Sequence, residues 1–183
     1  MTFPNQIIRL VDKSARKLRA LHLDYLVLLP LIFFICSQTI VPLPFSPVPV
    51  SLQPLPVFLA AWFFGWRGVA GYALYLAQGG FGAPVFSGFS GGLLHLLGPS
   101  GGYLGGFLVG AIVITILKTK KSPLLEAYGL YILATLATFF CGIAHLSSFM
   151  SFSQAIAHGL APFIIGDFVL KPLLFAISTR LKK

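Results

Sequence analysis

The chain has 183 residues, of which 57% are hydrophobic and only 9% charged, and its mean hydropathy is +0.91. A soluble domain carries about 25% charged residues, so this composition excludes a soluble globular fold and points to an integral membrane protein. The net charge of +9 does not signal a nucleic-acid binder, because the basic residues sit in short clusters between apolar segments, where membrane topology accounts for them.

Residues 1–23 form a basic lead-in. Within "QIIRLVDKSARKLRA", residues 6–20, Ile7, Ile8, Val11, Ala15 and Leu18 fall on one helical face, and Arg9, Lys13, Arg16 and Lys17 lie mostly on the other. That pattern reads as an amphipathic helix suited to an anionic membrane surface. It is not a cleavable signal, since its basic region is long and no small-residue cleavage site follows. The rest, 24–183, reads as a single domain of six transmembrane helices with short, partly irregular outer loops.

The first span covers about 24–41. Pro42, Pro44, Pro47, Pro49 and Pro54 follow in "PLPFSPVPVSLQP", a density that forbids regular helix and favours extended backbone. Spans two and three, about 55–66 and 68–78, are short and flank Arg67. An uncharged, glycine-rich connection leads to span four, about 102–117, which ends at "KTKK". Span five covers about 123–146, and span six about 155–178, ending at "RLKK". With six spans, every basic cluster falls on one side, and the connections 42–54, 79–101 and 147–154 hold no Lys or Arg. The positive-inside rule then sets both termini in the cytoplasm.

The chain holds four acidic residues, and Asp167 is the deep one, about 18 Å of helix into span six. Lys171 follows one turn later in "IIGDFVLKPLLFA". Charges inside a span are costly and usually face a cavity or a partner. One reading makes the pair structural, each charge neutralising the other or Lys171 snorkelling to the inner surface. The other turns both toward a water-accessible pocket, the carboxylate accepting from a ligand donor and the ammonium holding a ligand anion. Pro172 leaves the Phe168 carbonyl without its helix donor and Pro162 does the same to that of His158; interrupted spans of this kind accompany transport sites.

Other polar groups say less. His95, His145 and His158 read as polar interface residues, with no carboxylate–histidine cluster to suggest a metal. Tyr72, Tyr75 and Gln78 on span three carry groups able to bind a ligand. Cys36 and Cys141 lie in apolar runs and imply neither a disulfide framework nor zinc. The phosphate-loop pattern is absent, so any ATP must be handled by another polypeptide. In "SGGLLHLLGPSGGYLGG", residues 90–106, Gly102, Gly106 and Gly110 just beyond recur every four residues, a face for close helix packing. Ser90, Gly91 and Gly92, with the stretch Gly98 to Gly101 including Ser100, suit an outer loop folded over a site, and Tyr103 an aromatic support.

Several segments together, "PLPFSPVPVSLQPLPVFLA", "GAPVFSGFSGG", "LLGPSGGYLGGFL" and "GDFVLK", resemble the signature stretches of BioY, the biotin-binding substrate subunits of energy-coupling factor (ECF) transporters. The resemblance implies six helices, a biotin site opening outward, and partners comprising a transmembrane coupling protein and two ATP-binding cassette ATPases, in a bacterial cytoplasmic (inner) membrane. It implies no cofactor and no enzymatic reaction. The expected substrate-binding set is Asp167, Lys171, Ser90, Gly91, Gly92, Ser100, Gly101, Tyr103, Tyr75 and Gln53, with Asp167 accepting from the biotin ureido group and Lys171 pairing with its carboxylate. Two departures stand out. The family often spaces the aspartate and lysine three apart, where here they are four apart. The small-residue A-x-x-x-A docking pattern of span one is replaced by "YLVLLPLIFFICSQ", with Ala73 and Ala77 on span three as another docking face. The alternatives are a subunit for thiamine or riboflavin, whose sequences lack "GPSGGY", and a membrane-embedded enzyme using Asp167 or His158 as base, which would want a second deep carboxylate or a metal cluster.

Overall fold

The computed structural model describes residues 23–41, 43–44, 46–119 and 124–180; the amphipathic lead-in and the terminal "LKK" lie outside the described residues. The protein is built of helices, which fall on the apolar segments expected except for one short helix within the 79–101 connection. They are α1 (Leu23–Gln38), α2 (Pro54–Phe64), α3 (Trp66–Gly80), α4 (Leu93–Leu97), α5 (Gly101–Leu117), α6 (Leu124–Leu146), α7 (Phe152–Gly159) and α8 (Lys171–Ser178). A 3₁₀ turn, Ala161–Phe163, and a π-helical turn, Gly166–Leu170, join the last two. By length and composition α6 is long enough to cross a membrane unaided. The 152–163 and 166–178 pieces reach that size together, bent by 51°.

The glycine-marked stripe of α5 packs on α6. A Cβ on Gly106 would meet the Thr138 carbonyl oxygen at 2.7 Å, and one on Gly110 would meet the Ala134 oxygen at 2.9 Å. The two backbones are therefore in van der Waals contact, the arrangement small residues permit between membrane helices. The sharp reversal between α2 and α3 turns on Gly65, at φ +56° and ψ −130°, a region essentially closed to residues with a Cβ.

The proline-rich segment is extended, as its composition requires. It closes on itself in a two-residue antiparallel pair, β1 (Ile40–Val41) with β2 (Val50–Ser51), matching Ile40 to Ser51 and Val41 to Val50. The result is a strap, tied at both ends. The Ser46 hydroxyl donates to the His158 carbonyl (2.8 Å) and the Lys171 ammonium donates to the Ser51 carbonyl (2.6 Å).

The span-six prolines act as expected, with one further turn. The carbonyl freed by Pro162 is the one Ser46 caps, and the carbonyl of Phe168, freed by Pro172, accepts from the Tyr128 hydroxyl at 3.1 Å. Both freed acceptors are held by protein hydroxyls, so the broken helix is braced from α6 on one side and from the strap on the other.

Candidate functional site

Two adjoining cavities lie beneath the strap. The first, of about 390 Å³ counted out to its mouth, is walled by Ser51 and Pro49 of the strap, Phe58 of α2, Tyr103 and Phe107 of α5, Thr135, Thr138 and Phe139 of α6, Phe163, Asp167 and Lys171. The second, of about 360 Å³, shares Val48, Pro49, Ser51, Tyr103 and Phe107 with it and adds Gln53, Ser87, His95, Ser100 and Leu104. Both volumes include space open to solvent, so it is the make-up of the walls, rather than the size, that marks a candidate small-molecule site. The first has an apolar, aromatic-rich wall with a few convergent polar groups, the usual make-up of such a site, and the second is more polar.

Asp167 and Lys171 meet in the first cavity. Lys171 Nζ lies 2.5 Å from Asp167 Oδ1, and the two side chains are each 6% exposed. The π turn carries Asp167 and ends where Lys171 opens α8; such turns are frequent at functional sites. Both sequence readings meet here, since the pair is mutually neutralised and also lines a cavity. Lys171 divides its donors between Asp167 and Ser51. Among the described residues Asp167 Oδ2 accepts no hydrogen bond.

Three buried polar atoms have no protein partner among the described residues: Gln53 Nε2, Tyr131 Oη and Thr135 Oγ1. Thr135 is in the wall of the first cavity and Gln53 in that of the second. Leaving such a group unpaired costs about 1–3 kcal/mol, so a ligand able to pair with them gains what the ligand-free protein gives up.

The expected site residues divide by location. Asp167, Lys171 and Tyr103 line the first cavity, and Gln53, Ser100 and Tyr103 the second. The Tyr103 ring stacks on Phe163 (6.3 Å, 22°) while its hydroxyl donates to the Gly159 carbonyl. It is an aromatic wall fixed from behind. Ser90 stands one layer out, donating to the Ser87 carbonyl (2.7 Å) and 3.0 Å from His95 Nδ1. Tyr75 donates to the Val85 carbonyl and packs edge-on against Phe33 and Phe86, so it holds the 81–90 loop. Gly91, Gly92 and Gly101 are not in either cavity wall. A Cβ on Gly91 would meet the Ala83 oxygen at 2.2 Å, and the Gly92 amide donates to the Gly79 carbonyl. Those glycines shape the loop; Ser87, His95 and Ser100 are what it presents.

Sequence reasoning missed Thr135, Thr138, Phe58, Phe107, Phe139 and Phe163, which are ordinary residues on apolar helices. His95 was read as an interface residue and is in the wall of the second cavity.

Fold and site together define a small helical membrane protein with two adjoining cavities between its helices, beneath an extended strap. The comparisons narrow this class. The BioY family profile matches residues 12–183, and the chain belongs to the BioY family. It is 37% identical over 77% of its length, and 85% of the relative's, to the biotin transporter BioY of Thermotoga maritima. It is 34% identical over 75% of its length, and 82% of the relative's, to the probable biotin transporter BioY of Pyrococcus horikoshii. A crystal structure of the S-component for biotin from an ECF-type ABC transporter superposes over 100% of this chain and 94% of its own, with a TM-score of 0.75 and 26% identity.

Proposed function

We propose that this protein binds biotin at the outer face of a bacterial cytoplasmic membrane and delivers it inward as the substrate subunit of an ECF-type transporter. Membership of the BioY family supports the ligand. The observation that carries the site is the Asp167–Lys171 pair in the wall of an aromatic cavity. The family is one of transport proteins, so no catalytic residue is assigned. ATP hydrolysis belongs to the partner module, a coupling protein with two ATPases. Six crossings with both termini in the cytoplasm fit the placement of the basic clusters.

The geometry refines the two roles assigned from sequence. Biotin carries its ureido ring and its carboxylate at opposite ends, whereas Asp167 and Lys171 form one ion pair and act as a unit. The pair therefore takes one end. A ureido group offers N–H donors to Asp167 Oδ2 and a carbonyl to the remaining Lys171 proton or to Thr135, so this end matches the first cavity without adding charge beside the carboxylate. The valerate chain then runs past Tyr103 and Phe107 into the second cavity.

Calorimetric titration of the purified protein with biotin, desthiobiotin and lipoate tests this reading. Biotin and desthiobiotin, which share the ureido group, are expected to bind and lipoate is not. Asp167→Asn is expected to weaken biotin by about tenfold or more, the worth of a charged hydrogen bond. Absence of biotin binding by the intact protein sinks the proposal.

A further inference from the structure

The cavity walls carry a charge problem that the ligand makes acute. Among the described residues, the ionisable side chains lining the two cavities are Asp167, Lys171, Tyr103 and His95. Asp167 and Lys171 cancel, so the site without ligand is electrically neutral. A carboxylate ligand would bring a negative charge into this partly enclosed space, and an unpaired charge drawn away from water is costly. The group that can supply the opposite charge is His95.

The hydrogen bonds fix how His95 is set to do so. The Ser90 hydroxyl oxygen is 2.7 Å from the Ser87 carbonyl oxygen. A carbonyl only accepts, so the one hydroxyl hydrogen of Ser90 is committed there. His95 Nδ1, 3.0 Å from the same hydroxyl, must then donate to it. The imidazole thus carries its proton on Nδ1, and Nε2 is the nitrogen left for the cavity, with no protein partner among the described residues. The ring is held flat against Phe86 (5.0 Å, 20°), which fixes its plane.

Resting on the biotin reading above, we propose that His95 holds the ligand carboxylate, with Nε2 taking a proton from the outer solution as the carboxylate enters the second cavity. The imidazole becomes imidazolium, Nδ1–H stays on Ser90, and the new Nε2–H donates to the carboxylate. Gln53 Nε2, buried in the same wall without a partner, is a second donor. Partial burial holds the unliganded imidazole below the ordinary histidine pKa, so the ring is neutral until the anion arrives.

No charged side chain among the described residues packs against His95. The titratable neighbours are tied to backbone carbonyls: Tyr75 of α3 to Val85, Tyr103 of α5 to Gly159 and His145 of α6 to Gly98. His145 donates from Nε2, since Gly98 offers only a carbonyl, and it stands outside both cavity walls.

The test is titration of the full chain with biotin at about pH 8, above the ordinary histidine range, in buffers of differing ionisation enthalpy. The intact protein is expected to take up close to one proton per biotin, and its affinity to fall about tenfold per pH unit there. Biotin methyl ester, with the same ureido ring and no anion, is expected to bind without proton uptake. His95→Phe, which keeps the stack on Phe86, is expected to abolish the uptake and to weaken biotin about ten- to a hundredfold near neutral pH. Biotin binding without proton uptake by the intact protein overturns the assignment whatever the variant does, as does uptake retained in His95→Phe. Failure of the intact protein to bind biotin at all overturns the functional reading instead, and this inference with it.

Discussion

At the scale of single residues, the ion pair and the unpartnered hydroxyl make opposite demands on the fold. Removing one member of the Asp167–Lys171 pair leaves the other buried and uncompensated, at a cost of about 3–5 kcal/mol. Lys171→Met alone is therefore expected to lower the melting temperature sharply. The double variant Asp167→Asn with Lys171→Met is expected to recover most of that loss while still failing to bind biotin, both read by thermal melts and titration. Thr135→Val works the other way. It removes a buried hydroxyl with no partner, so the ligand-free protein is expected to melt higher, while biotin binds about three- to tenfold more weakly. A change of the same sign in both readings would show that Thr135 serves packing alone. The charged pair was visible in the sequence because charges within spans are rare. Thr135 was not, because a threonine on an apolar helix looks alike whether its hydroxyl bonds its own backbone, as that of Thr138 does to the Ala134 carbonyl, or is left unpaired at a cavity wall.

At the scale of elements, proline positions told where the last span breaks but not what catches the broken ends. The partners of the His158 and Phe168 carbonyls, Ser46 and Tyr128, lie 112 and 40 residues away in the chain, and no local pattern connects them. Ser46→Ala and Tyr128→Phe are each expected to cost about 1 kcal/mol in a denaturation experiment, and their effects should add, since they brace different ends of the same broken helix. The α5 glycine repeat, by contrast, was fully legible, because spacing alone defines a helix face. Gly106→Ala, with its Cβ driven into the Thr138 backbone, is expected to destabilise by about 1–3 kcal/mol, whereas Gly105→Ala, whose Cβ meets nothing within 4 Å, should be near neutral. Equal effects at the two positions would contradict the packing described. The glycines at 91, 92 and 101 lie outside both cavity walls. Their missing side chains serve the backbone of their own loop, and composition does not distinguish that use from an approach to a ligand.

At the scale of the molecule, hydropathy and the spacing of basic clusters were enough to mark the longer apolar helices, though not the short α4 within the 79–101 connection. They could not give the arrangement of the strap over α2, α5 and α6, which depends on contacts between distant segments. Topology is open to direct measurement. Reporter fusions after Gly82 and after Thr119 are expected to fall on opposite sides of the membrane, the second with the basic residues in the cytoplasm. A shared side for both would refute the six-crossing arrangement. The short α2 also has a consequence for the surrounding lipid. Its 11 residues rise about 17 Å, against a hydrocarbon layer about 30 Å thick. A bilayer that this helix crosses must thin or dimple beside it, and lengthening the acyl chains raises the elastic cost of that dimple. Reconstituted in vesicles of increasing chain length, the protein should progressively lose stability, so that the thickness of the host membrane becomes a determinant of how well the binding chamber is kept.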